Sequence, residues 1–151
     1  MFQTIDADGH VQEPTEAIAE RLPAAMRDFA PRQTTDASGR IRQSVGGQMM
    51  PYIPVPDSGS WDIPKGGADP KIRLVDMDRQ RIERSILFPT FGLAFAGVGR
   101  VDVQIALARA YNDWLAEFCR ADPARLKGIA MINLDDVQEG IRELERAARL
   151  G

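Results

Sequence analysis

The sequence predicts an α/β fold in which parallel strands alternate with amphipathic helices. Three observations support this prediction. Apolar strand-like runs occur at 2–6, 84–89 and 126–134, apolar residues with helical spacing follow them, and helix-start signals precede two of the helices. Because parallel strands must be joined by a crossover, this alternation predicts helices packed on a parallel sheet.

The helices are predicted from periodicity and capping residues. Asp69-Pro70 is typical of a helix start, with aspartate as the cap and proline in the first turn. Apolar residues at helical spacing predict a long amphipathic helix over 102–120. Asp136 followed by Glu139 is typical of a capping box before a last helix. One face of that last helix is apolar and contains Val137, Ile141, Leu144 and Ala148.

An insertion is predicted after the first strand, at roughly residues 31–68. Asp36-Ala37-Ser38-Gly39 separates two β-compatible arms and predicts a hairpin. The stretch 46–68 is rich in Gly, Pro and Ser and predicts a long loop, which contains Trp61. Two short helices are expected before the insertion, at 14–21 and 23–29.

The composition narrows the function classes. With 151 residues, 44% hydrophobic and 27% charged, the chain has the profile of a single soluble globular domain. A net charge of −3 gives no electrostatic reason to expect nucleic acid. We expect a cytoplasmic protein without a signal peptide or a membrane partner, and a homo-oligomer remains open. The single cysteine, Cys119, excludes an intrachain disulfide and is expected to be a packed thiol.

Asp8 and His10 are the candidate metal ligands. Residues two apart in extended chain project to the same side, so this carboxylate and this imidazole can converge on one cation. Both groups suit zinc and similar divalent ions, and enzyme sites form at the carboxyl ends of parallel strands. Gly9 is expected to remove steric bulk between them. Three candidate substrate-binding residues, for which loop packing is an equally open interpretation, are Phe91, Asn133 and Trp61.

Three ordered segments resemble the amidohydrolase superfamily, in its aminocarboxymuconate-semialdehyde decarboxylase-like branch. IDADGHVQEP is similar to the metal motif of that branch, with Asp8 at the first histidine position and His10 at the second. DPKIRLVDMDRQRIERSILFPTFG resembles its second helix and strand, although the glycine expected near Arg81 is missing. AYNDWLAEFCRADPARLKGIAMINLDD resembles its next helix and third strand.

This resemblance implies the first three β-α units of a (β/α)8 TIM barrel, with 1–151 as the N-terminal part of a single barrel domain. It implies a divalent metal, with zinc as the expected ion, held by Asp8, His10 and ligands beyond residue 151. The catalytic residues are expected beyond residue 151 as well. The implied activity is hydrolysis or non-oxidative decarboxylation of a small carboxylated or cyclic substrate.

Other interpretations remain open at this point. The chain by itself could be an inactive fragment that needs the remaining barrel, or a small three-layer α/β domain. The motif Asp-x-Asp-Gly also resembles haloacid-dehalogenase-type phosphatases, in which Asp6 would be the nucleophile and Asp8 the acid/base. His10 stands where those phosphatases usually have Thr or Val.

Overall fold

A computed structural model of the chain describes residues 4–39, 41–49 and 65–151. These residues form two three-stranded sheets and four α-helices. In chain order the elements are β1 (Thr4–His10), α1 (Thr15–Arg21), β2 (Arg32–Thr35), β3 (Ile41–Val45), β4 (Gln48–Met49), α2 (Pro70–Gln80), β5 (Ile82–Phe88), α3 (Val101–Cys119), β6 (Leu126–Gly128) and α4 (Val137–Ala148). Three 3₁₀ segments lie at Ala24–Phe29, Lys65–Gly67 and Phe91–Gly97.

The main sheet is parallel and has the order β1-β5-β6. Its central strand, β5, pairs with β1 so that His10 lies opposite Phe88. The predicted parallel α/β architecture is therefore confirmed. The pairing also brings the carboxyl ends of β1 and β5 together, which is where sites form in such sheets.

Two strands differ in length from the prediction. β1 continues to His10, whereas the sequence placed a loop after residue 6, because the polar stretch 6–9 is unlike a buried strand. The third strand was predicted over 126–134, but β6 ends at Gly128. Beyond the bond from the Ile129 N–H to the Leu87 carbonyl, β5 offers β6 no further partner, and no described strand lies on the other side of β6.

Helix α3 covers the sheet and supplies much of the core. It starts and ends within one residue of the predicted 102–120. The core includes Leu107, Tyr111, Trp114, Leu115 and Phe118, all buried. Cys119 is a packed thiol, as expected, and burial raises its pKa to about 11. No helix of the described residues has both the length and the apolar character needed to cross a bilayer.

Helix α4 begins at its predicted cap but leaves its apolar face in solvent. The Asp136 carboxylate accepts the Glu139 N–H at 3.0 Å, which confirms the helix start. The buried residues of this helix are Gly140 and Glu143, and they do not belong to the predicted apolar face. That face is exposed, at 64% for Val137, 47% for Ile141 and 56% for Leu144.

The insertion contains the predicted hairpin and one more strand. β2 and β3 pair antiparallel around a turn in which Asp36 accepts the Ser38 N–H at 2.9 Å. The chain then turns at Gly46 and Gly47, both with positive φ, into β4, which the sequence placed in a long loop. The remainder of that predicted loop, at 50–64, lies outside the described residues.

Helix α2 ends at Arg81, the one non-glycine residue with positive φ in the described chain, at φ 59°. Left-handed backbone costs an L-residue about 1–2 kcal/mol, while the freedom of glycine in the unfolded chain offsets about 0.5–1 kcal/mol. We therefore expect Arg81→Gly to raise the free energy of unfolding by about 0.5–1 kcal/mol in urea titrations. Arg81→Ala keeps the Cβ and should bring no such gain; equal effects of the two variants would contradict this account.

Candidate metal centre

His10 ends β1 with its imidazole held in one tautomer. Its Nδ1 lies 2.8 Å from the Pro89 carbonyl oxygen. Because a carbonyl oxygen can only accept a hydrogen bond, Nδ1 carries a proton, and in the neutral imidazole Nε2 then keeps its lone pair. Metal-binding histidines commonly show this arrangement, in which the second ring nitrogen donates to a carbonyl or a carboxylate. His10 is thus poised to bind a cation through Nε2.

Asp8 lies beside that nitrogen. Its Oδ1 is 3.7 Å from His10 Nε2, and both side chains are exposed. Two ligands of one tetrahedral ion with bonds of about 2.1 Å stand about 3.4 Å apart, so a small side-chain adjustment would let both bind one ion. A carboxylate and a neutral imidazole are also ligand types that divalent metal ions bind. The two residues therefore fit a shared metal ion.

The backbone of His10 is fixed from the side of α2. The Arg73 guanidinium donates through Nη2 to the His10 carbonyl oxygen. Burial lowers the pKa of Arg73, whereas the nearby charges of Asp6 and Asp76 raise it. Arg73 lies one helical turn after the Asp69 cap, so the predicted helix start also places this contact.

Asp6 serves as a link between β1 and β5. Its Oδ2 accepts the Ser85 hydroxyl at 2.7 Å, and its Oδ1 accepts the Asp8 N–H at 3.2 Å. Ser85 is fully buried in the middle of β5. Both oxygens of Asp6 are thus engaged in structural bonds, which favours the metal-site interpretation of this motif over a phosphatase with Asp6 as nucleophile.

Gly9 is needed for a different reason from the one expected. A Cβ at Gly9 would lie 2.3 Å from Ser85 Oγ and 2.5 Å from Asp6 Oδ2, and therefore towards β5. The expectation that this glycine clears space between Asp8 and His10 is wrong. Its absent side chain instead makes room for the hydrogen bond between Asp6 and Ser85.

Glu13 is a buried carboxylate close to this centre. It is 1% exposed, and it accepts the backbone N–H groups of Thr90 at 3.1 Å, Phe91 at 3.0 Å and Gly92 at 3.1 Å. Burial raises the pKa of Glu13, and these hydrogen bonds lower it only in part. In the sequence Glu13 is only a residue before a helix, and no local pattern predicts its burial.

The three predicted substrate-binding residues have different surroundings. Phe91 is buried and packs in the hydrophobic core. Asn133 accepts the N–H groups of Asp135 and Asp136 at 3.0 Å and donates to Gln104, so it shapes the turn before α4. Trp61 lies outside the described residues. Substrate contact by these residues stays a prediction.

The described residues include the two candidate metal ligands, Asp8 and His10. Within 4–39, 41–49 and 65–151, no group of three or more His, Cys, Asp or Glu side chains is arranged to hold a metal ion. His10 is also the only histidine of the chain. A structural or catalytic zinc ion commonly takes three or four protein ligands, so Asp8 and His10 would be part of a larger shell.

The packing at Gly9 gives a direct test of this description. We expect Gly9→Ala to lower the free energy of unfolding by roughly 1–3 kcal/mol, because the new methyl group overpacks the contact between Asp6 and Ser85. Urea denaturation measures the change. Gly97→Ala is the matched control, since a Cβ at Gly97 would meet nothing within 4 Å. Similar losses in the two variants would contradict the predicted clash.

Comparison with known proteins agrees with this arrangement. Residues 5–151 match the family model described as amidohydrolase. A search of curated protein sequences gave no significant match. Among solved structures, an amidohydrolase from Mycobacterium avium subsp. paratuberculosis K-10 aligns with a TM-score of 0.79 at 20% identity, covering 99% of this chain and 47% of that one.

Two decarboxylases align in the same way. A 5-carboxyvanillate decarboxylase from Novosphingobium aromaticivorans, complexed with manganese and 4-hydroxy-3-methoxy-5-nitrobenzoic acid, has a TM-score of 0.63 at 23% identity, covering 98% of this chain and 39% of that one. For 2,6-dihydroxybenzoate decarboxylase from Rhizobium the TM-score is 0.55 at 20% identity, with 99% of this chain and 36% of that one covered.

The chain spans less than half the length of each of these structures. Its parallel sheet with helical crossovers corresponds to part of their TIM barrel, which confirms the predicted partial barrel. Because the family model matches nearly the whole sequence, from residue 5 to residue 151, this chain belongs to the amidohydrolase family.

Proposed function

We propose that this chain contributes part of the active site of a divalent-metal-dependent decarboxylase for small aromatic carboxylates. One observation carries the proposal. Asp8 Oδ1 and His10 Nε2 lie 3.7 Å apart at the carboxyl end of β1, and the bond from Nδ1 to the Pro89 carbonyl leaves Nε2 as an acceptor. This is a ligand pair prepared for a cation.

The structural relatives support the substrate class. Two of them are decarboxylases whose names specify carboxyvanillate and dihydroxybenzoate, both aromatic carboxylates. One of these was determined with manganese and a nitrobenzoic acid. Manganese is therefore a candidate ion for this site, as is zinc, which the sequence resemblance implies. Hydrolysis, which other amidohydrolases perform, is the alternative chemistry for the same site.

In decarboxylation, the bond between the ring carbon and the carboxylate breaks and carbon dioxide leaves. The electron pair stays on the ring carbon, where a proton takes the place of the lost group. A metal at this site would orient the substrate and stabilise negative charge on it. His10 would contribute the Nε2 lone pair, and Asp8 would contribute a negative charge that favours the cation.

Metal titration tests the ligand assignment. We expect the chain to bind Mn²⁺ or Zn²⁺ in calorimetry at neutral pH, and Asp8→Ala and His10→Ala each to weaken binding by more than about tenfold. Even second-shell partners of a metal are worth about 10–100-fold in affinity, and first-shell ligands should matter at least as much. Asp135→Ala removes an exposed carboxylate elsewhere and should leave binding unchanged. Equal binding by all variants would contradict the assignment. Tighter binding of Zn²⁺ than of Mn²⁺ is expected at any site with nitrogen and oxygen ligands, so the comparison between variants, not between ions, is the test.

A second candidate is that the chain has no activity until more of the barrel covers it. The exposed stripe of α4, formed by Val137, Ile141 and Leu144, is the observation that favours it. Isolated apolar residues on a surface are ordinary, but a contiguous stripe on one helix face marks a contact surface. One edge of β6 likewise has no partner among the described strands.

The exposed stripe predicts self-association of the isolated chain. We expect Ile141→Gln/Leu144→Gln to reduce concentration-dependent association in sedimentation velocity and to reduce binding of a hydrophobic dye, because it removes the apolar surface of α4. Arg142→Gln/Glu145→Gln changes two neighbouring exposed positions of the same helix without altering the net charge, and it should leave both readouts as in the wild type. If the two double variants behave alike, the stripe is not a contact surface.

A further inference from the structure

Glu13 and His10 form hydrogen bonds with opposite ends of the peptide group between Pro89 and Thr90. We propose that Glu13 is a positioning residue, which holds the turn after β5 so that the Pro89 carbonyl keeps His10 in its Nδ1–H tautomer. The purpose of this arrangement, presenting Nε2 to a metal, rests on the proposed function. The arrangement itself is independent of any metal.

The first step is the contact of Glu13 with the turn. Its two carboxylate oxygens accept the N–H groups of three consecutive residues, Thr90, Phe91 and Gly92. These groups begin the 3₁₀ segment Phe91–Gly97, where backbone N–H groups lack partners within the segment. A carboxylate this deeply buried is costly unless it is hydrogen-bonded, so the turn and Glu13 fix each other.

The second step passes through the peptide between Pro89 and Thr90. Its N–H is bound by Glu13 at 3.1 Å, and its C=O accepts from His10 Nδ1 at 2.8 Å. No peptide of the described chain is cis. In a planar trans peptide the N–H and the C=O point in opposite directions, so fixing one direction fixes the other. Glu13 therefore aims the carbonyl that selects the tautomer of His10.

Two neighbouring contacts keep this turn close to β1. The Thr90 hydroxyl donates to the Val11 carbonyl at 2.6 Å, and the Val11 N–H donates to the Phe88 carbonyl at 2.9 Å. At Gly92 a Cβ would lie 2.7 Å from Pro89 Cβ and 3.3 Å from Glu13 Oε1. It would also lie 2.6 Å from Met131 Sδ, so the close packing of this turn against Pro89 and Met131 favours glycine at this position.

The single histidine makes the proposal directly measurable. Followed from about pH 7 to pH 9, the ¹⁵N shifts of the imidazole report its protonation and its tautomer without overlap from other histidines. We expect the wild type to show a protonated Nδ1 and an unprotonated Nε2. In Glu13→Gln the amide nitrogen faces backbone donors, so the peptide turns and the ratio of Nδ1–H to Nε2–H tautomer should fall about fivefold, as for the loss of one hydrogen bond.

The control separates positioning from mere stability. Glu16→Gln makes the same chemical change at an exposed position of α1 and should leave the tautomer ratio as it is in the wild type. Urea denaturation of each variant gives the stability separately. If Glu13→Gln lowers stability but its folded form keeps the wild-type tautomer ratio, Glu13 is a structural residue only and the proposal is overturned.

A second variant and a wild-type measurement cover the case in which Glu13→Gln does not fold. Glu13→Asp keeps the charge but is too short to reach all three N–H groups, so a smaller shift in the same direction is expected. In the wild type, the Thr90, Phe91 and Gly92 amides should exchange with solvent slowly. Exchange at the rate of open amides would overturn the proposal. None of these readouts uses a metal, so a failure of metal binding leaves them interpretable.

Discussion

The parallel pairing of β1 with β5 is the constraint on which the candidate centre depends. It sets His10 opposite Phe88, so that the segment following one strand lies against the segment following the other. Three of the polar groups in this centre find their partners across this pair. Asp6 bonds Ser85, the imidazole bonds the Pro89 carbonyl, and Glu13 bonds the turn that follows. The orientation of the His10 imidazole is thus a product of strand pairing more than of the local chain.

Polar contacts also set the register of this pair. β1 is mostly exposed and lacks the alternation of apolar residues that usually fixes register. A slip by one residue would separate Asp6 from the buried Ser85 and move Gly9 away from their close contact. Since buried polar groups without partners are costly, these two residues and Gly9 select one alignment. The contacts of Asp6 and Gly9 with Ser85 therefore fix the register, and this register places Asp8 and His10 at the carboxyl end of β1.

The sequence predicts those parts of the fold that local signals determine. The Asp69 and Asp136 caps and the long helix α3 are local, and each was confirmed. The extent of β1 and β6 depends on partners far along the chain, and there the prediction failed in length. Spacing alone brings Asp8 next to His10. The role of Glu13 could not be predicted in this way, because its hydrogen-bond partners lie at least 77 residues away.

The candidate ligand His10 is therefore held in place by the fold, and the exposed stripe of α4 lies on the same chain. His10 is held at its carbonyl by Arg73 and at Nδ1 by Pro89, so its orientation does not depend on a bound ion. Ligands held in place by the surrounding fold lose little freedom when an ion binds, which favours affinity. The exposed stripe of α4 lies on an element that follows β6, the strand with an unpaired edge. The contacts that orient His10 involve neither the exposed stripe of α4 nor the unpaired edge of β6. The geometry around His10 therefore does not depend on whether these surfaces are covered.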